Sequence, residues 1–357
     1  MLLRRFFQKN AVLSVSEKAY IKGMDNKIDF VITWVDGNDP AWRAERDRYA
    51  GVECGSEGGA QSRYRDWETL RYWFRGVEKF APWVNKIYFV TWGHVPEWLN
   101  TAHPKLQIVN HSDFIPAEFL PTFSSNVIEF YFHLIEGLSE RFVYFNDDMF
   151  LLKSVKPSRF FRRGLPCDIG GMTFNIHNGM FGASVLLSKT MINKHFNKQQ
   201  VVRQHWSKWF NWRYLPASLL NVACLLFRKD EFVGFLNPHL PQGYLKTTYE
   251  ELWSKCSKEI LRTSRSKFRD YGDLAPWLIR YWQLASGRFE PINPFNDGVY
   301  YLVDDNNVSE IVSCIRQQKK RMICLNDSEH ISNFEETKSR IMEAFEMILP
   351  DKCGFER

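Results

Sequence analysis

No run in the 357-residue chain reaches the roughly 18 apolar residues of a membrane-spanning helix, so no transmembrane segment is expected. The opening Met-Leu-Leu-Arg-Arg-Phe-Phe-Gln-Lys is followed by no apolar core, which argues against a secretory leader. Dense basic stripes and nucleic-acid reader motifs are lacking, and a net charge of +6 is too mild to replace them; no nucleic-acid partner is expected. The seven cysteines are scattered and odd in number, with no C-x-x-C or Cys/His zinc spacing. That excludes a disulfide framework and fits free thiols in a reducing cytoplasm. Internal repeats, heptads and low-complexity tracts are also missing.

What is present is ordinary globular composition, 45% hydrophobic and 25% charged, with a high aromatic share of 16% including 13 Trp. Flat aromatic faces suit sugar rings and bases, and equally a packed core. The mild positive charge suits anionic substrates such as nucleotide diphosphates. A basic, aromatic segment from Leu2 to Lys9 fits either peripheral contact with the inner face of the cell membrane or a frayed terminus.

The pattern divides as 1–26, a basic segment; 27–190, an α/β region; 191–290, a helical region; and 291–357, which completes the same catalytic domain. Residues 28–35 read as a strand stopping at Asp36-Gly37, and 66–80 as a helix. Strands follow at 86–91, 106–109 and 141–145. A helix after Thr122 is expected to be capped by Ser124, Ser125 or Asn126. Residues 216–227 read as a buried helix, 247–260 and 272–285 as two more, 300–303 and 322–325 as short strands, and 334–348 as a closing helix. The alternation predicts an α/β fold: a Rossmann-like (GT-A-like) nucleotide-sugar-binding sheet with helical additions in the C-terminal half.

In such sheets ligands bind at the carboxyl ends of strands. Three polar clusters fall there: Asp36-Gly37-Asn38-Asp39, Asn146-Asp147-Asp148 and Asn326-Asp327. Two adjacent carboxylates repel unless something neutralises them, and a divalent cation on a diphosphate does so; a turn or cap is the plainer reading. Trp34 reads as a base-stacking surface or as core. His239, between Pro238 and Pro241, is a natural general base or a structural histidine. Arg269 has the fork geometry that suits a transferring phosphoryl group, although lone arginines are usually solvated.

Taken together, these segments resemble the Stealth family, which comprises bacterial capsular polysaccharide phosphotransferases and the animal N-acetylglucosamine-1-phosphotransferase. The similarity lies in four ordered blocks. They are 28–40; 63–149, including Arg63-Tyr-Arg-Asp-Trp-Glu and Asn146-Asp-Asp-Met149; Pro238-His-Leu-Pro241 through Arg269; and Ile323-Cys-Leu-Asn-Asp-Ser328. Where animal members have a second His after the Pro, this chain has Gln242. The resemblance implies transfer of a hexose or N-acetylhexosamine 1-phosphate from a UDP-sugar to a hydroxyl of a polysaccharide or lipid-linked glycan, with release of UMP. It implies His239, Arg269, Glu129 and Asp148 as catalytic, Asp29, Trp34, Asp36 and Asn146 as nucleotide-binding, and Asp147, Asp148 and Asp327 as ligands of a divalent metal, Mg²⁺ ahead of Mn²⁺ or Ca²⁺. A conventional glycosyltransferase releasing UDP and a non-catalytic glycan-binding module are the rival readings.

Overall fold

The structure, a computed structural model, describes residues 27–53, 65–174, 178–228 and 230–357. The segment Leu2–Lys9, proposed above for membrane contact, lies outside them.

Five strands form the central sheet: β1 (Asp29–Thr33), β2 (Ile87–Thr91), β3 (Leu106–Asn110), β4 (Arg141–Phe145) and, from much later in the chain, β8 (Gln242–Leu245). Their order is β3-β2-β1-β4-β8. The first four run parallel, and β8 runs antiparallel to β4 with Tyr144 opposite Gln242. Three further strands, β5 (Met149–Leu151), β10 (Gly298–Leu302) and β11 (Met322–Asn326), build a second sheet in the order β10-β11-β5. A third, small sheet joins β6 (Phe161–Arg162), β7 (Leu165–Asp168) and β9 (Glu290–Pro291).

The helices are α1 (Pro40–Glu53), α2 (Leu70–Phe80), α3 (Ser125–Phe130), α4 (Gly179–His195), α5 (Lys198–Gln204), α6 (Leu215–Leu226), α7 (Lys246–Ser264), α8 (Trp277–Ala285), α9 (Val308–Arg316) and α10 (Phe334–Ile348). Successive strand side chains point to opposite faces of the sheet. Phe30, Ile32, Ile87, Phe89, Val143 and Phe145 therefore join one core with α2, α9 and α10. Val31, Tyr88, Val90, Phe142 and Tyr144 join the other with α3, α7 and α8. The central strands are apolar on both faces because both are covered.

Several expectations shift. The helix read over 66–80 begins at Leu70, leaving Arg65–Thr69 irregular. The helix after Thr122 is one short turn set, and its N-cap residue Ser124 makes no side-chain cap bond. The segment read as a buried helix is helical as α6, yet exposes Leu219 and Leu226. Apolar composition gives the helix; it does not say which side faces in. Six cysteines among the described residues are free, and no helix among them is long and apolar enough to cross a membrane.

Candidate active site

The carboxyl ends of β1 and β4 lie side by side, because the two strands pair in parallel from Asp29↔Phe142 to Ile32↔Phe145. β4 runs out into Asn146-Asp147-Asp148, a turn closed by the Met149 amide on the Asn146 carbonyl at 3.2 Å. The chain then enters β5, where the antiparallel register sets Met149 opposite Cys324 of β11. The Leu325 amide donates to the Asp148 carbonyl at 2.9 Å, so the two acids are clamped between two sheets.

β8 delivers His239. Its register with β4, continued past Tyr144↔Gln242, carries residues 241–239 toward Asn146 and Asp147. His239 sits at φ +47°, a left-handed backbone that non-glycine residues adopt at a cost. A buried ion pair holds the loop there. Arg280, fully buried, binds both carboxylate oxygens of Asp168 at 2.7 Å and donates to the Leu236 carbonyl at 2.6 Å. Gln242 donates to Asp168 at 3.2 Å, and the Asn237 amide reaches the Tyr281 hydroxyl at 2.7 Å. The His239 segment is thus fastened on both sides.

The oxygen, nitrogen and sulfur donors of Asp148, His239 and Cys324 all lie within 4.8 Å of one another. Burial pulls His239 below the ordinary histidine range; Asp148 opposes that and the Arg269 charge adds to it. The imidazole is therefore neutral at pH 7 and free to take a proton. Burial raises the Asp148 carboxyl, while His239 and a hydrogen bond from the Cys324 thiol pull it down. Burial and the facing Asp148 charge hold that thiol far above its usual range, so Cys324 is a protonated donor.

Asp147 follows β4 and is solvent-exposed. Burial in the strand-end recess, then the Asp148 charge and more weakly Asp66, push its carboxyl up to about 7; its contact with water tempers the first of these. Asp66 is itself raised, by burial and then by Asp36. The recess thus gathers Asp36, Asp66, Asp147 and Asp148 within electrostatic reach. Asp148 Oδ1 is buried with no hydrogen-bond partner among the described residues. A crowd of acids with an orphaned oxygen fits a divalent cation.

On the other side of β4, Glu129 of α3 is bonded to Tyr144 and Ser125, and Arg269 donates to Ser125 Oγ at 2.5 Å. Burial raises Glu129 to about 7 even though Arg269 opposes the shift. Tyr144 in turn bonds Thr33 Oγ1 at 3.0 Å, tying this network to the end of β1. Arg269 is held near by Phe268 stacked on Phe123 at 5.2 Å and by the Phe123 amide on the Lys267 carbonyl.

Asp36, Asn146, Asp147, Asp148, His239, Glu129 and Arg269 thus meet around the strand ends, and Trp34 lies beside them, its ring against Phe89 and His94. Two expectations are corrected. Asp29 begins β1, so it lies at the far end of the strand. Its carboxylate is fully buried and accepts from Asn85, the Lys86 amide and the Ser139 amide, which makes it a clamp for loops under the sheet. Asp327 reaches the end of β11, but Arg65 binds both of its oxygens, at 2.5 and 2.9 Å, leaving it poorly placed to ligate metal. Cys324, Tyr300 and Asp66 were missed. Tyr300 meets the His239 ring edge-on at 5.3 Å and bonds Asn326. Cys324 and Asp66 lie in the blocks quoted above, but only strand register reveals their neighbours. A surface hollow of about 430 Å³ around Lys27, Trp83 and Asn85 lies beneath the sheet near Asp29 and includes none of the acids.

The family models match the first two of the four blocks. Residues 26–51 match the model of Stealth protein conserved region 1, and 63–167 that of conserved region 2. A capsular polysaccharide phosphotransferase, WcwK of Streptococcus pneumoniae, is 42% identical over 339 residues, 94% of this chain and 100% of that protein. The receptor polysaccharide phosphotransferase WefC of Streptococcus oralis is 39% identical, covering 93% and 99%. An exopolysaccharide phosphotransferase of Lactiplantibacillus plantarum is 36% identical, covering 92% and 96%. Among solved structures, a galactosyltransferase bound to donor and acceptor sugar analogues aligns at TM-score 0.38 and 11% identity, covering 88% and 95%, too loosely to carry an argument.

Proposed function

Since this chain belongs to the Stealth family of polysaccharide phosphotransferases, we propose that it moves a hexose or N-acetylhexosamine 1-phosphate from a UDP-sugar to a hydroxyl of a growing surface polysaccharide. The observation that carries this reading is the approach of Asp148 and His239, 91 positions apart in sequence, to within 4.8 Å, with the Arg269 charge felt by the imidazole.

His239, neutral for the reasons given, takes the proton of the acceptor hydroxyl as the oxygen attacks the phosphorus bearing the sugar. The new P–O bond forms the phosphodiester, the bond to the bridging oxygen breaks, and UMP leaves with that oxygen. Arg269, kept in place by Ser125, offers its guanidinium to the charge that builds on the transferring phosphoryl group. Glu129, hydrogen-bonded to the same Ser125, orients that arginine. Asp147 and Asp148 would hold a divalent cation, Mg²⁺ ahead of Mn²⁺ or Ca²⁺, which when bound neutralises the donor diphosphate. Most of the catalytic effect is positioning and charge stabilisation. Asp36 and Trp34, at the end of β1, line the side on which the nucleotide would rest.

The test is incubation with a panel of UDP-sugars, acceptor glycan and each cation, with separation of the nucleotides. UMP formation that stops with EDTA supports the reading. UDP points instead to a conventional glycosyltransferase, and saturable binding with no nucleotide release to a non-catalytic module.

A further inference from the structure

Helix α6 is built inside out. Its inward positions are Ser218, Asn221 and Cys224, all buried, whereas Leu215, Leu219, Val222 and Leu226 are 59%, 65%, 48% and 84% exposed. Steps of four, three and four place these four on one stripe. The orientation is fixed by the polar face. Asn221 donates to the carbonyls of Gly170 and Trp209 at 2.7 and 2.6 Å and accepts from the Met172 amide at 2.6 Å. Ser218 Oγ accepts from the Asn211 amide at 3.1 Å. Trp212, 78% exposed, and Phe227, 54% exposed, flank the helix at its two ends. A contiguous apolar face of this size marks an interaction surface.

Charge says what covers it. Residues 169–229 contain eight Lys and Arg and no Asp or Glu, in a chain that carries 41 acids overall. Arg213 and Arg228 bracket the helix, Arg228 paired at the exposed surface with Glu231 at 2.5 Å. Beside its amino-terminal end a cleft of about 290 Å³ sets Arg162, Arg163, Lys208 and Arg213 against one carboxylate, Glu290. We propose that α6 lies in the headgroup boundary of an anionic lipid bilayer, its leucine stripe inserted and the flanking arginines on lipid phosphates. A second copy of the chain fits less well. A two-fold contact would bring identical basic stretches together with no carboxylate in either to answer them.

This face is coupled to the recess. Asn221 grips Gly170 and Met172, Met172 bridges to Phe235, and the Leu236 amide donates to the Gly171 carbonyl at 2.9 Å, three residues before His239. Docking through α6 therefore holds the recess close to the bilayer, where a lipid-linked acceptor would arrive; that consequence, unlike the docking itself, rests on the phosphotransferase reading.

The test uses the full chain, sedimented with sucrose-loaded vesicles of phosphatidylcholine alone or mixed with phosphatidylglycerol, beside the double variant Leu219→Glu/Leu226→Glu. Expected is partition onto the anionic vesicles that falls at least about tenfold in the variant, with an unchanged circular dichroism spectrum. Leu219→Ser/Leu226→Ser replaces that variant if the glutamates unfold the helix. The proposal is overturned if the folded variant binds like the parent, including the case in which deletion of residues 1–12 alone abolishes binding. It is also overturned if neutral vesicles bind equally well, if neither vesicle binds, or if the parent only self-associates and the variant is monomeric.

Discussion

The strand-end recess and helix α6 break the ordinary rule of burial in opposite directions. One packs carboxylates together and raises their pKa values; the other turns leucines to water and serines inward. Each arrangement disfavours the free folded state, and each is what a partner would relieve: a cation in the first and, on our proposal, an anionic bilayer in the second. The Asp168–Arg280 pair is the control between them. It too is a buried carboxylate, 1% exposed, but both of its oxygens are answered. Burial alone is therefore not the sign of a site; at Asp148 the orphaned Oδ1 counts because it stands among other crowded acids.

That contrast can be broken most forcefully at Arg280. Arg280→Ala leaves Asp168 buried with no counter-charge, its remaining donors being Gln242 and the Ile169 amide, and should cost about 3–5 kcal/mol in urea unfolding. Because the Leu236 carbonyl and the Asn237 side chain lose their donor with it, the remaining folded enzyme should lose turnover more than donor affinity. Asp148→Asn should do the reverse. Removing a crowded charge leaves the unfolding midpoint unchanged or raised, while UMP release falls about 10²–10³-fold or more. His239→Ala should match it in turnover with intact circular dichroism. If Asp148→Asn destabilises as much as Arg280→Ala, the two carboxylates do not differ as described.

The glutamates placed at Leu219 and Leu226 sharpen the other half of the comparison, since they should abolish vesicle binding while leaving turnover on a soluble acceptor unchanged. The smallest effect is expected at Glu129. Its folded pKa of about 7 exceeds the unfolded value of 4.5, so the folded state holds the proton more tightly between them. Its contribution is intact below pH 4.5 and is lost as pH rises through 7. Glu129→Gln should remove this loss, gaining about 1–2 kcal/mol over the parent at pH 8 relative to pH 4.5 in urea midpoints, after allowance for its partial exposure.

Much of this was legible in the chain before its fold was known. The strand before Asn146-Asp147-Asp148 occupies the residues read for it, 141–145, and the closing helix those at 334–348, because continuous apolar runs and strong helical spacing leave little choice. The face of α6 was not legible. Its alternation of Leu, Ser, Asn and Ala is apolar enough for a core, and only Asn221's three bonds to residues 170, 172 and 209 decide which side turns in. Asp29 was legible as misplaced, since the strand read over 28–35 already puts it at the amino end, away from the strand ends where ligands bind. Asp66 and Cys324 were invisible as partners of the recess. The first lies within the irregular stretch Arg65–Thr69, and the second reaches Asp148 only through the antiparallel register of β11 with β5.

The claim that the acids around 147–148 and the His239 and Arg269 groups serve one phosphoryl transfer is tested most directly by phosphorus NMR of a single reaction with UDP-sugar, cation and acceptor glycan. The account predicts a new phosphodiester resonance growing in step with UMP and absent with Asp148→Asn. Growth of UDP with no new diester would contradict it.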